Sequence, residues 1–175
     1  MDTLQLEKIL ASHLKSVYFG VCAKDQLPNI DVRPLALIVN SDPSYKDGTH
    51  WSAVYLFQDG RGEYFDSYGR APEKVIRNYL DRHAPNEWRY NERVLQNLGS
   101  TVCGAYCVQY LEARHERRNI PFSTLLRKLF PYSNPDKSDK LVQTRMKKHY
   151  GLKIPLVERQ FLQSMRKSRK IDVKE

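Results

Sequence analysis

Gln96-Asn97-Leu98-Gly99-Ser100-Thr101-Val102-Cys103-Gly104-Ala105-Tyr106-Cys107 changes character halfway along. A polar, glycine-containing loop gives way, after Ser100 or Thr101 as a cap, to Val102, Tyr106, Gln109, Tyr110 and Ala113 at helical spacing. The pattern predicts a helix from about Val102 to Arg117, with Cys103 in its first turn. A thiol placed there meets backbone amides with no acceptor inside the helix and the positive end of the helix dipole. Both favour the thiolate. Gly104 follows, and a residue without a side chain would let a substrate backbone approach the sulfur closely. A helical cysteine taken alone is more often a small buried apolar residue. Cys107, one turn on, is read that way: a zinc site needs about four ligands, and no second cysteine pair or close histidine cluster accompanies it.

Upstream, Pro34 leads into Leu35-Ala36-Leu37-Ile38-Val39, a continuous apolar run closed by Asn40-Ser41-Asp42-Pro43, which predicts a buried strand. Thr49 to Phe57 predicts a second strand. Gln58-Asp59-Gly60-Arg61-Gly62 is a turn signal, and Glu63 to Asp66 predicts the returning strand of a hairpin. His50 then opens one strand and Asp66 closes its partner, so antiparallel pairing would bring both to one end of the sheet. Elsewhere the spacing predicts an opening helix capped by Thr3, a long loop from Tyr18 to Arg33 and a helix from Pro72 to about Arg82. Trp88 to Leu95 reads as a weak strand, and further helices are predicted at Phe122 to Phe130, Ser138 to Tyr150 and Leu156 to Lys167.

Nucleophilic catalysis needs a base, a group that orients the base and donors for the oxyanion. His50 is the candidate base for Cys103, Asp66 the orienter, and Gln96 a side-chain donor beside the Cys103 backbone amide. Singly, each has a plainer account: a capping histidine, a turn-forming aspartate, a solvated glutamine. Together they form a Cys-His-Asp triad with an oxyanion donor. Trp51, next to the base, either shields the imidazole or fills a core position.

Gly48-Thr49-His50-Trp51, Tyr64-Phe65-Asp66-Ser67-Tyr68-Gly69 and the Gln96 to Cys107 segment resemble the His-Trp, acidic and Gln-to-Cys-Gly motifs of the adenovirus endopeptidase (adenain) family. The resemblance runs from about residue 3 to residue 130. It implies an α+β fold in which helices pack on a central mixed sheet, a papain-like core in circularly rearranged order. It also implies a cysteine endopeptidase that cleaves viral or virus-like capsid or core precursors after small residues such as glycine. A virus-like DNA transposon or adenovirus-related element is the expected origin, and the host nucleus or virion the expected location. The six residues between Gln96 and Cys103 resemble the viral enzyme. Asp66 followed by Ser67 is closer to the related SUMO-deconjugating proteases, so removal of ubiquitin-like modifiers is the alternative activity. The viral enzyme is activated by a peptide disulfide-bonded to a cysteine ahead of the nucleophile. This chain has no cysteine between Cys22 and Cys103, so a disulfide-linked activator at that position is excluded, whereas DNA or an unlinked peptide remains compatible.

Composition sets the frame. With 175 residues, 41% hydrophobic and 28% charged, the chain fits one domain with a real core. No apolar run approaches the roughly 18 residues of a membrane span, and Met1 to Gln5 lacks a secretory start, so an intracellular protein without a membrane partner is expected. Three cysteines make no disulfide framework. No obligatory cofactor or metal is expected. The net charge of +9 favours polyanions. From Lys137 onward there are twelve basic residues and four acids. Residues 1–135 are therefore read as the protease core and 136–175 as a basic helical extension, packed on or continuous with it. Lys147, Lys148, Arg166 and Lys167 are its candidate DNA contacts. A basic DNA-binding virion protein is the reading from a different class.

Overall fold

The computed structural model describes residues 1–154. In chain order the elements are α1 (Thr3–His13), β1 (Tyr18–Ala23), β2 (Leu35–Asn40), β3 (Trp51–Leu56), β4 (Arg61–Phe65) and α2 (Lys74–His83). There follow β5 (Glu87–Tyr90), α3 (Cys103–Glu116), α4 (Phe122–Leu129) and α5 (Pro135–Tyr150). The expected helix from Leu156 to Lys167 lies outside the described residues.

The five strands lie in sequence order. β1 runs parallel to β2, β2 and β3 are antiparallel, β3 and β4 are antiparallel, and β5 runs parallel to β4. This is the mixed sheet of the expected α+β class. The continuous apolar run of β2 is explained by burial on both faces, since all six of its residues are buried. Ala36 and Ile38 face a core built with α1, α3, α4 and α5, while Leu35, Leu37 and Val39 face a smaller core under α2. The β3–β4 hairpin turns at Gly60, whose φ of 82° suits glycine, and Ala53 pairs with Phe65. The start of β3 and the end of β4 therefore share one end of the sheet, as the sequence requires.

β1 corrects the sequence reading, which made Tyr18 to Arg33 a loop. Tyr18–Ala23 is an edge strand, exposed at Tyr18 and Phe19, and it shows no clean alternation. Its backbone groups are satisfied by β2 rather than by any pattern of its own. The opening helix is capped by Asp2, not Thr3: Asp2 Oδ1 accepts from the Gln5 amide at 2.8 Å, and Gln5 Oε1 accepts from the Asp2 amide at 3.2 Å. α2 starts after Glu73 rather than at Pro72, and β5 stops at Tyr90. α5 begins earlier than Ser138, where Asn134 caps it and Pro135 occupies the first turn. Val142 and Met146 of α5 are fully buried in the main core.

α3 lies across the sheet and is buried along nearly its whole length. An ionic cluster fixes it. Arg114, with no exposed surface, donates from Nε to Glu63 Oε2 at 2.8 Å and from Nη2 to Oε1 at 3.0 Å. Tyr110 Oη adds a bond to the same carboxylate at 2.7 Å. The cluster ties α3, the helix that opens with Cys103, to β4 three residues before Asp66.

Candidate active site

Cys103 opens α3, and the site forms where α3, β3 and the turn after β4 converge. Val102 holds the N-cap position and makes no side-chain capping bond. Neither Ser100 nor Thr101 caps the helix as expected; the Ser100 hydroxyl instead accepts from Gln96 Nε2 at 3.0 Å. Of the first-turn amides, Ala105 bonds the Val102 carbonyl at 3.0 Å and Gly104 serves the sulfur. Burial alone would raise the Cys103 pKa. The His50 imidazole, followed by backbone hydrogen bonds from Trp51 and Gly104, outweighs burial and holds the thiol below its ordinary value.

His50 is 8% exposed and Asp66 2%. His50 Nε2 meets Asp66 Oδ1 at 2.8 Å, which directs Nε2–H to the carboxylate and fixes the tautomer. Nδ1 is buried without a conventional hydrogen-bond partner, on the side left for the Cys103 thiol. Burial disfavours the imidazolium, but the bond to Asp66 and the favourable interaction with the nearby Cys103 thiolate push the His50 pKa up to about 9. A raised base beside a lowered thiol is the signature of a thiolate–imidazolium pair.

Asp66 is itself held. Asn91 accepts from the Asp66 amide at 2.9 Å and donates to its carbonyl at 2.7 Å, and the Tyr68 amide donates to Oδ1 at 2.7 Å. Tyr68 also stacks on the His50 ring, with centroids 4.6 Å apart and planes at 23°. Neither Asn91 nor Tyr68 was singled out from the sequence, although Tyr68 stands within the quoted Asp66 to Gly69 motif. A cleft of about 490 Å³ opens against His50, Asp66 and Tyr68, with Lys24, Asp42, Arg70 and Leu98 among its walls.

Gln96 has no exposed surface. Its Oε1 accepts from Ser67 Oγ at 2.6 Å, and its Nε2 donates to the Ser100 carbonyl at 2.9 Å and to Tyr68 Oη at 3.3 Å. It thus joins the loop before Cys103 to the turn after Asp66. Trp51 takes the second of its two readings, packing on the core, and Gly104 faces it. A Cβ on Gly104 would meet Leu6 Cδ2 at 3.3 Å, Trp51 Cδ1 at 3.4 Å and Met1 Cβ at 3.5 Å, so its bare face admits protein rather than substrate. Trp51 packs there, half-buried, and its indole donates to the Met1 carbonyl at 3.2 Å. The ring that covers the imidazole is Tyr68. Cys107 is fully buried in the core, its Sγ 3.4 Å from the Trp51 carbonyl. Lys147 and Lys148 are exposed in the last turn of α5, and Arg166 and Lys167 lie outside the described residues.

No protein-family model matches the sequence. The chain is 30% identical over 97 residues to R355 of Acanthamoeba polyphaga mimivirus, a protein named as a thiol protease. That match covers 50% of this chain and 32% of R355. Among solved structures, the ASFV pS273R protease superposes with a TM-score of 0.53 at 16% identity, covering 78% of this chain and 60% of that one. The two chains share a fold. The central domain of the Legionella pneumophila protein Lpg1148 shares it, with a TM-score of 0.52 at 15% identity over 85% of this chain and 96% of that domain. The chain spans 32% of the mimivirus protein and 60% of the ASFV protease.

Proposed function

We propose that the chain is a cysteine endopeptidase acting through Cys103, His50 and Asp66. The observation that carries the reading is the imidazole fixed by Asp66 through Nε2, its Nδ1 side left to a thiol whose pKa is lowered. The Cys103 thiolate attacks the scissile carbonyl carbon, and the C=O electron pair moves to the oxygen. Collapse of that tetrahedral species breaks the C–N bond as His50 Nδ1–H protonates the leaving amine, leaving a thioester. Neutral His50 then takes a proton from water, whose oxygen attacks the thioester, and the sulfur leaves as thiolate beside the restored imidazolium. The Cys103 backbone amide and the Gln96 side chain are the oxyanion donors in this scheme. Gln96 serves by exchanging its bond to the Ser100 carbonyl for one to the substrate oxygen, a tightening that substrate binding brings about.

The substrates proposed are viral or virus-like capsid or core precursors, cut after small residues such as glycine. The viral source of R355 and of the ASFV protease supports this over modifier removal. A cleavage assay decides: precursor peptides with glycine before the scissile bond are expected to be cut, and a SUMO fusion to a reporter left intact. Cleavage of the fusion alone would replace the reading with deconjugation. The exposed Lys147 and Lys148, in a chain of net charge +9, support DNA as a non-specific partner that gathers enzyme and substrate.

A further inference from the structure

Tyr68 touches three parts of the proposed machinery, His50, Asp66 and Gln96. Its ring lies on the His50 ring at 4.6 Å, and its amide shares Asp66 Oδ1 with His50 Nε2, at 2.7 and 2.8 Å. Its hydroxyl donates to the Ser100 carbonyl at 3.4 Å and accepts from Gln96 Nε2 at 3.3 Å. The ring is 8% exposed, and the Arg70 guanidinium also lies over it, 5.0 Å from its centroid. The turn carrying it is pinned in turn: the Ser67 carbonyl accepts from the Leu95 and Gln96 amides at 2.8 and 3.0 Å, and Gly69 closes on the Asp66 carbonyl at 2.8 Å.

A single bond from Asp66 leaves an imidazole able to pivot about that bond, and a pivot carries Nδ1 away from the sulfur. Stacking removes this freedom. We propose that Tyr68 is a positioning residue for the reaction: its ring holds the plane of the His50 imidazole, while its amide and hydroxyl register that plane with Asp66 and with the loop before Cys103. The aromatic face also favours a cation, so it stabilises the imidazolium more than the neutral ring. This inference rests on the reading of His50 as the base. The other titratable or charged groups around the imidazole are Asp66 and Cys103 and, along the cleft, Lys24, Asp42, Tyr64, Arg70 and Glu73, of which Lys24 and Glu73 pair at 2.7 Å.

The test compares Tyr68→Phe, which keeps the face, with Tyr68→Leu, which keeps bulk without the face, using peptide turnover and the pH dependence of Cys103 alkylation by iodoacetamide. In Tyr68→Leu the imidazolium loses support, the thiolate loses its counter-charge, and the acid limb of alkylation moves to higher pH by roughly half a unit or more. The turnover number falls roughly tenfold with KM little changed. Tyr68→Phe keeps the wild-type limb, while loss of the hydroxyl's bonds to Ser100 and Gln96 lowers turnover, though less than in Tyr68→Leu. A purely structural role would lower the yield of folded protein without moving the limb in the folded fraction. Wild-type pH dependence and turnover in folded Tyr68→Leu would overturn the proposal. Should that variant not fold, the wild-type chain still tests it: the His50 ring protons, assigned with His50→Gln, are expected upfield-shifted by the stacked ring, and random-coil shifts would overturn it. His50→Ala separates the two ideas. Undiminished turnover there rejects His50 as base, whereas a dead His50→Ala beside a wild-type-like Tyr68→Leu rejects Tyr68 alone.

Discussion

At the residue scale the three thiols are ranked by their surroundings. Cys103 is held below the ordinary value by His50, whereas burial pushes Cys22 up to about 11 and Cys107 well above its usual range. At neutral pH, limiting iodoacetamide followed by peptide mapping is expected to label Cys103 first, and His50→Ala to slow that labelling; labelling led by Cys107 would refute the assignment. The turnover profile follows from the same two shifts. On the acid side activity falls as the Cys103 thiolate takes a proton, below the ordinary thiol range. On the basic side it falls around pH 9, where His50 loses the proton it must give to the leaving amine. Cys103, His50, Asp66 and Gln96 were legible because each is a chemically distinctive residue in a local context that sequence records. Tyr68 over the imidazole was not, since stacking between residues 50 and 68 depends on how the turn after β4 folds back. Gly104 was legible as a close approach, but the expected neighbour was a substrate backbone, and the structure puts Leu6, Trp51 and Met1 there.

At the element scale the proposed nucleophile and base are carried by separate pieces, Cys103 at the start of α3 and His50 just before β3, and the Glu63–Arg114 pair locks α3 against the hairpin. A paired buried charge that loses its partner is costly. Arg114→Ala is expected to destabilise the fold by roughly 3–5 kcal/mol, while Glu63→Leu combined with Arg114→Met comes much closer to wild type. Denaturant melts of the single and double variants check this, and equal losses in both would show that packing rather than charge governs the site. β2 and the hairpin were readable because a doubly buried run and a glycine turn leave plain marks. β1 was not, because an edge strand gets its hydrogen bonds from a neighbour and needs no pattern of its own. The α3 cap was misassigned because Ser100 is engaged by Gln96, a contact that local propensity does not encode.

At the scale of the whole molecule, among the described residues four helices cover one face of the sheet, one covers the other, and the site sits at the end where β3 starts and β4 stops. α5 serves two surfaces, sending Val142 and Met146 into the core while Lys147 and Lys148 face outward. Charge counted along the sequence could locate the basic segment but not say which lysines a helix turns outward. Proposed DNA binding makes a measurable demand: affinity for unrelated duplexes falls steeply with salt, with a log–log slope of about −0.9 per neutralised phosphate. Replacing Lys147 and Lys148 by Ala should weaken all duplexes alike and flatten that slope by up to about two units, leaving peptide turnover without DNA unchanged. Fluorescence anisotropy across a salt series reads this, and identical slopes would remove these lysines from any DNA surface.

The packing of Trp51 against Gly104 has an optical consequence. The chain has two tryptophans, Trp51 beside the nucleophile and Trp88 on β5, whose indole donates to Asp81 at 2.7 Å. With Trp88 changed to Phe, emission comes from a single indole touching the residue next to Cys103. Because thiolates and neighbouring cations quench indole emission, conversion of the ion pair to an acyl-enzyme alters the brightness of that one chromophore. Under the proposed mechanism the protein thus carries its own reporter for the formation and decay of the thioester, readable in a stopped-flow burst without a labelled substrate.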